Sequence, residues 1–454
     1  MTEKRLRATE RLGTEKIGKL LFDFSIPAVV GMLVNTIYNI VDRIYIGQGV
    51  DPLGIAGITI VMPLMMTLMA SSILIGVGAN ALFSIRLGEG RRHEVEKIMG
   101  HAFALLFLIP GVVILFSFIF LDKILIHVLG ASEAIFPYAK TYLRIILYGG
   151  IFSAMGPGIN HFIRSDGHPK TSMLTQIIGA VLNIILDPIF IFVFGLGIAG
   201  AAWATIISQF ISFVFVMAYF NSRFTALRFR IREMKLTLKL SLDIMALGLA
   251  PCVMPLAMGL VNVIQNRSLS YYGGDVAITT MGIVGSIIMI IFMPLQGLNQ
   301  GVQPIIGYNY GAKKYHRVRE AYWLSIKVGT AMFTAGFLLL QLFPQFFTAI
   351  FTQAAGELRT MCVRAIRICT AALPLIGFQI ITSNYFQAVG KPIQGTILGM
   401  SRQLLIFIPL LIVLPLFLGL DGIFLTMPVS DVLSVIISAL FMRRELKVLQ
   451  RLAG

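Results

Sequence analysis

The sequence predicts an all-α integral membrane protein of twelve transmembrane helices, arranged as two six-helix bundles related by a pseudo-twofold axis. Three observations predict it: an apolar composition, twelve apolar runs of spanning length, and an internal repeat. Of 454 residues, 57% are hydrophobic and 13% charged, with a mean hydropathy of +0.85. A soluble domain carries roughly 25% charged residues, so hydrocarbon is the solvent to which most of this chain is matched. The 43 glycines agree, because small residues let membrane helices approach closely.

The runs fall at 20–46, 55–85, 98–121, 138–160, 172–194, 200–220, 244–270, 277–307, 322–343, 358–384, 394–417 and 422–442. About 20 apolar residues cross a bilayer, so twelve crossings consume most of the chain and leave no room for a soluble domain. The opening MTEKRLRATERLGTEKIGKLLFDF has no small-residue cleavage site close behind its apolar core. The run that follows is longer than a signal core, so it reads as a retained first span.

Charge sets the orientation. Residues 1–19 hold six Lys/Arg, and Arg86, Arg91, Arg92 and Lys97 follow the second run. Segment 221–243 adds Arg223, Arg228, Arg230, Arg232, Lys235 and Lys239; later come Lys313, Lys314, Arg317 and Arg319, and then Arg443, Arg444, Lys447 and Arg451 in the tail. The intervening connections are nearly bare, Lys123 being one exception. By the positive-inside rule both termini are cytoplasmic, as an even helix count requires. The net charge of +16 is explained by this distribution, with no nucleic-acid partner implied. Cys252, Cys362 and Cys369 lie inside apolar runs and read as small hydrophobes, neither a disulfide framework nor a metal site.

The repeat divides the chain. LGEGRRHEV (87–95) resembles YGAKKYHRV (310–318), FIRSDGHPK (162–170) resembles YFQAVGKPI (385–393), and LGIAG (196–200) resembles LGLDG (418–422). Residues 1–220 form the first bundle, 221–243 a basic linker and 244–454 the second bundle. Six helices return the chain to its starting side, so the bundles share one orientation and the axis lies along the membrane normal, an arrangement typical of alternating-access carriers.

Ionisable groups within spans cost about 2.5–3.5 kcal/mol on insertion scales and mark function. In the first run Asn35, Tyr38, Asn39 and Asp42 share one helical face, with Pro27 upstream as a bend point. In the fifth run Asn183 and Asp187 are four apart, and Pro188 removes a helix hydrogen bond beside them. Asp42, Asp187 and Thr205 fall at similar depth, where hard oxygens suit Na⁺ and paired carboxylates suit a shared proton. Either way the expected role is coupling-ion binding. At the repeat offset the second bundle keeps amides (Gln296, Asn299, Gln300, Gln303) but lacks these carboxylates, so it is assigned substrate contacts. Met66 and Met293, with Asn35, Tyr38, Asn39, Gln296 and Asn299, are candidate cavity residues. Asp23 stands near a span boundary, and Asp431 is either a second titrating site or the partner of Arg402.

IPAVVGMLVNTIYNIVDRIYIG, GVGANALFSIRLGEG and LNIILDPIFIFVFGLGIAGAAWAT, together with the repeated Gly-Pro loops, resemble the multidrug and toxic compound extrusion (MATE) family, in particular its bacterial MepA-like branch. The resemblance covers residues 15–445. It implies a two-lobe exporter of the bacterial inner membrane, not an enzyme, that exchanges Na⁺ or H⁺ for cationic, amphipathic drugs and uses no cofactor.

 The family's first-lobe cation site corresponds here to Asp42, Asn183, Asp187 and Thr205, with Asn160 beside them, and the same four residues would hold Na⁺ where Na⁺ is the coupling ion. Membrane lipids and small-molecule drugs are the expected partners, and a monomer the expected functional unit. Two other readings stay open. A lipid-linked precursor flippase of related architecture needs cavity cations, for which Arg267 and Arg402 are the main second-bundle candidates. An intramembrane aspartyl protease also needs two membrane aspartates, but the contexts VDR and LDP lack its glycine-flanked pattern.

Overall fold

The computed structural model describes residues 10–50, 52–222, 225, 227, 231–351 and 356–453. Arg223, Arg228 and Arg230 of the basic segment, and residues 1–9, lie outside them. The described chain is built from helices, and their limits follow the apolar runs, extended by a few residues at each end. The first half holds α1 (Ile17–Gly49), α2 (Pro52–Gly88), α3 (Arg92–Ile119), α4 (Phe136–Ser165), α5 (Pro169–Pro188) and α6 (Gly197–Asn221). In the second half a 74-residue helical stretch, Leu238–Gly311, changes direction at Gly274, whose φ of 61° and ψ of −160° are not helical. It is therefore two helices, α7 (238–273) and α8 (275–311). They are followed by α9 (Tyr315–Leu342), α10 (Glu357–Cys369 with Leu373–Ala388, bent by 51°), α11 (Pro392–Leu418) and α12 (Leu420–Ala453).

Nine of the described helices pass as membrane spans by length and hydropathy, or ten with the bent pair taken as one. Splitting Leu238–Gly311 at Gly274 and adding α4, whose Gly, Asn, His and Arg residues lower its hydropathy, gives the twelve expected from sequence. The basic connections all fall at one end of the bundle, here termed the basic face.

The two halves meet through close backbone contacts that the repeat exchanges. Asn80 Nδ2 of α2 donates to Gln303 Oε1 of α8 at 3.1 Å, and these residues are 223 apart in sequence. A Cβ on Gly88 would lie 2.8 Å from the Tyr308 carbonyl carbon, and one on Gly311 would lie 2.8 Å from the Ile85 carbonyl carbon. Each residue of the first contact is related to one of the second by the same offset. Gly78 against Gly248 likewise mirrors Gly301 against Ser25. The pseudo-twofold axis thus passes through the Asn80–Gln303 bond, which Ser165 Oγ supports by donating to Asn80 Oδ1 at 2.7 Å. These contacts all lie in the half of the membrane nearer the basic face. Glycines near the other face, Gly47, Gly259 and Gly282, have open space where a side chain would be.

The first described residues pack with the second half. Leu12, Ile17, Leu20, Leu21 and Phe24 share a core with Leu298, Val302, Tyr322 and Tyr385. Asn309 Nδ2 donates to the Leu12 carbonyl at 2.8 Å, Lys314 Nζ to the Gly13 carbonyl at 2.8 Å, and Arg317 Nη2 to the Glu15 carbonyl at 2.5 Å. Asp23, the acidic residue at the span boundary, pairs with Arg11 at 2.9 Å. The connection between halves folds back on the first: Leu227 is buried in its core, and the Thr237 N–H donates to His101 Nε2 at 2.7 Å.

Candidate functional site

Helix α5 carries a buried polar stripe because Ser172, Thr175, Asn183 and Asp187 recur at helical spacing on its inner side. The stripe ends where Pro188, lacking an N–H, leaves the Ile184 carbonyl without its helical donor. The backbone then widens, with the Phe194 N–H reaching the Ile189 carbonyl across five residues. Asp187 is 0% exposed, and its Oδ1 accepts from Asn183 Nδ2 at 3.3 Å. Asp187 Oδ2 and Asn183 Oδ1 have no hydrogen-bond partner among the described residues.

Asp42 of α1 faces this group. It lies within hydrogen-bond reach of Asp187 and interacts with it through charge. Tyr38, one turn earlier, interacts with both carboxylates and hydrogen-bonds Asn39, whose Nδ2 also donates to Asn35 Oδ1 at 2.9 Å. Tyr142 of α4, 4% exposed, closes the cluster from a third helix and interacts with Asp42, Tyr38 and Asp187. Sequence reasoning did not single out Tyr142, which sits in a largely apolar run; only its charge interaction with the acids distinguishes it from a packing aromatic. Two carboxylates brought together in this way can share a proton or a metal cation between them. Orphaned oxygens on Asp187 and Asn183 supply further acceptors for either.

The remaining expected ligands have other bonds. Thr205 Oγ1 donates to the Ala201 carbonyl of its own helix at 3.0 Å. Asn160 Nδ2 donates to the Ser172 carbonyl at 3.2 Å, and its Oδ1 accepts from Thr175 at 3.1 Å. Thr175 precedes Asp187 by twelve residues of helix, so Asn160 sits roughly 18 Å nearer the basic face than that acid. No cluster of three or more His, Cys, Asp or Glu is present among the described residues. Among the cavity candidates, Asn35, Asn39, Met66 and Gln296 are exposed, while Asn299 is buried. Met293 Sδ accepts from Thr36 across the two halves at 3.4 Å. Helix α1 continues as a helix through Pro27.

Asp431 is not isolated. Arg402 Nε donates to its Oδ1 at 2.6 Å, and the Arg402 guanidinium lies 5.4 Å from the Phe292 ring centre. Of its two expected roles, the ion pair is the one the geometry realises. It also removes Arg402 as a free cavity cation, and Arg267 is exposed near the far end of α7.

The fold and this site agree with what the chain resembles. The MatE family model matches it twice, over residues 27–189 and 251–413, one match in each half and together well over half of the chain. The chain belongs to the MATE family. It is accordingly a membrane transporter and not an enzyme. Multidrug export protein MepA of Staphylococcus aureus (strain NCTC 8325 / PS 47) is 28% identical over 429 residues, covering 93% of this chain and 92% of its own. MepA of Staphylococcus saprophyticus is 27% identical over 423 residues, with the same coverage of 93% and 92%. A crystal structure of MATE in complex with MaD3S superimposes with a TM-score of 0.90 at 25% identity, over 97% of this chain and 98% of that one. The first MatE match begins at Pro27 and extends past Asp187, so both acids of this MATE transporter fall within it.

Proposed function

We propose that this MATE protein is a secondary active exporter that exchanges Na⁺ or H⁺ for cationic, amphipathic organic compounds, with Asp42 and Asp187 as the coupling site. The observation that carries the reading is a pair of interacting carboxylates within the membrane-spanning part of a transporter. Cation binding there and substrate binding elsewhere are coupled if each ligand prefers a different arrangement of the two halves. A loaded pair is neutral or nearly so and tolerates burial. An empty pair is anionic and favours a cationic compound nearby. The exposed Asn35, Asn39, Met66 and Gln296 offer that compound amide and thioether contacts suited to varied shapes.

The protein works in this reading as a monomer in the bacterial cytoplasmic membrane, with the basic face inside. The state described above is then closed toward the cytoplasm. The MepA relatives, named as multidrug export proteins, support the substrate class. The ion pair of Arg402 with Asp431 weighs against a flippase, which needs free cations for a pyrophosphate.

The test is ethidium efflux from proteoliposomes under separately imposed Na⁺ and H⁺ gradients. One gradient drives efflux by the native chain, and Asp42→Asn and Asp187→Asn each abolish it while the purified proteins stay folded. Uphill efflux by the double variant refutes the assignment.

A further inference from the structure

Lys327 occupies an unusual position on α9. That helix leaves the basic face at Tyr315 and ends at Leu342, so Lys327 lies well inside the span, and it is exposed on the outer surface of the bundle. It has no ion-pair partner among the described residues, although a cation in hydrocarbon is costly. A helical side chain leans toward its helix N-terminus. The Lys327 ammonium therefore reaches back toward the basic face, to the level of Trp323, one turn earlier and 38% exposed on the same side. Arg319 lies one turn earlier still, also exposed. Cation, aromatic and cation thus form a vertical strip at headgroup depth.

On the opposite side of Lys327 the surface is recessed. Thr330, Ala331, Thr334 and Ala335 line a shallow, open groove of about 630 Å³ that runs from Lys327 to Leu338. Eleven residues of helix span roughly 16 Å, close to the length of an acyl chain. The polarity of the feature selects its occupant. A phospholipid in the leaflet on the basic face has its phosphate at the level of Trp323 and its chains pointing away from that face, as the groove runs from Lys327. A partner helix of this same chain laid in the groove would leave Lys327 buried against it and require an acidic residue there.

We infer that Lys327 binds the phosphate of an anionic phospholipid, with one acyl chain in the Thr330–Ala335 groove. Lys327 supplies charge and the small residues supply fit, so the site retains one lipid where the rest of the surface exchanges lipids freely. The inference rests on membrane insertion alone and is independent of the coupling chemistry.

Native mass spectrometry of the full chain tests it, after delipidation in detergent and titration with palmitoyl-oleoyl phosphatidylglycerol or with phosphatidylcholine of the same chains. The native protein retains one phosphatidylglycerol in preference to phosphatidylcholine. Lys327→Ala weakens phosphatidylglycerol about fivefold, the loss expected for one cation near an anionic headgroup, and Lys327→Gln serves where the alanine variant does not fold. Lys327→Arg retains the lipid. Ala331→Leu fills the groove and weakens both lipids without changing charge. Equal retention of phosphatidylglycerol by the native and neutral variants overturns the site, and so does a dimer that survives delipidation and is lost in Ala331→Leu.

Discussion

Gly311→Ala tests how the two halves close on the basic face. Its added methyl would press on the Ile85 carbonyl group of the other half, 2.8 Å from the carbonyl carbon and 3.1 Å from Cα. These are backbone atoms in helix interiors and cannot rotate away, so the halves themselves must move. Overpacking of this kind costs about 1–3 kcal/mol. The clash is relieved by separating the halves, without unfolding either one, so the cost falls on the closed arrangement. A penalty of that size moves the balance between the two arrangements about 5- to 150-fold toward opening on the basic face. Spin labels at His93 and His316, exposed positions related by the repeat, report it as a longer distance by double electron–electron resonance, while the melting temperature changes little. The repeat demands that Gly88→Ala do the same, because its methyl meets the Tyr308 carbonyl in the mirrored contact. The double variant adds less than the sum, since both substitutions strain one interface. An unchanged distance distribution in both single variants refutes the argument that these glycines set the closure.

Three other outcomes follow from the same structure. Asp431→Asn strands the buried Arg402 and destabilises the protein by roughly 3–5 kcal/mol in thermal unfolding, whereas Asp431→Leu with Arg402→Met recovers most of the loss and retains gradient-driven efflux if the pair is structural. At the basic face Asp166 borders a cavity of about 180 Å³ shared with Glu10, Arg92 and Tyr308, and accepts from the Tyr219 hydroxyl at 2.7 Å. Burial raises its carboxyl from 3.8 to about 6, against the hydrogen bonds from Thr225 and Tyr219 and the charge of Arg92. A raised carboxyl contributes stability below its unfolded value and loses it as pH rises through the folded one. Asp166→Asn therefore raises the melting temperature at pH 7.5, by at most about 3 kcal/mol in stability, and the gain vanishes near pH 4; an equal gain at both pH values refutes the burial argument. Tyr142→Phe keeps the packing of the acid cluster and alters the pH dependence of efflux, while an unchanged profile assigns its hydroxyl no part in the site.

Most of the fold was legible because membrane burial leaves a simple record. Twelve apolar runs, basic residues gathered in alternate loops and a repeat across three loops define helix number and symmetry without any tertiary information. The one place where a helix count from the structure needs care, Gly274, is a tight reversal that keeps neighbouring residues helical. The acid pair was legible too, since Asp42 and Asp187 sit in runs where charge is expensive. What escaped depends on contacts between distant residues of ordinary type. Nothing in the sequence around Tyr142 distinguishes it from a core aromatic, and no local pattern chooses between the two roles of Asp431. Asn80 was hidden differently: its partner Gln303 is its own repeat equivalent, so the bond on the axis becomes visible only when the two halves are seen together.

Helix α1 links the chemistry of one half to the movement of the other. Its beginning is built into the core of the second half, held there by Asn309, Lys314 and Arg317, while Asp42 farther along faces Asp187 in the first. Pro27 lies between these two attachments, where the Asp23 carbonyl lacks its helical donor. If the halves part on the basic face in each cycle, the segment around residues 12–24 travels with the second half and α1 flexes near Pro27. A cleavable bifunctional thiol reagent joining Gly13→Cys to Lys314→Cys, whose native side chain reaches the Gly13 carbonyl, in a background without Cys252, Cys362 and Cys369, then leaves efflux near the native rate. The same reagent joining His93→Cys to His316→Cys, exposed positions on the two moving bodies, stops it until the linker is cleaved. Arrest by the first cross-link would show that the segment detaches from the second half during transport, and the amino-terminal attachment would then act as a gate that opens every cycle.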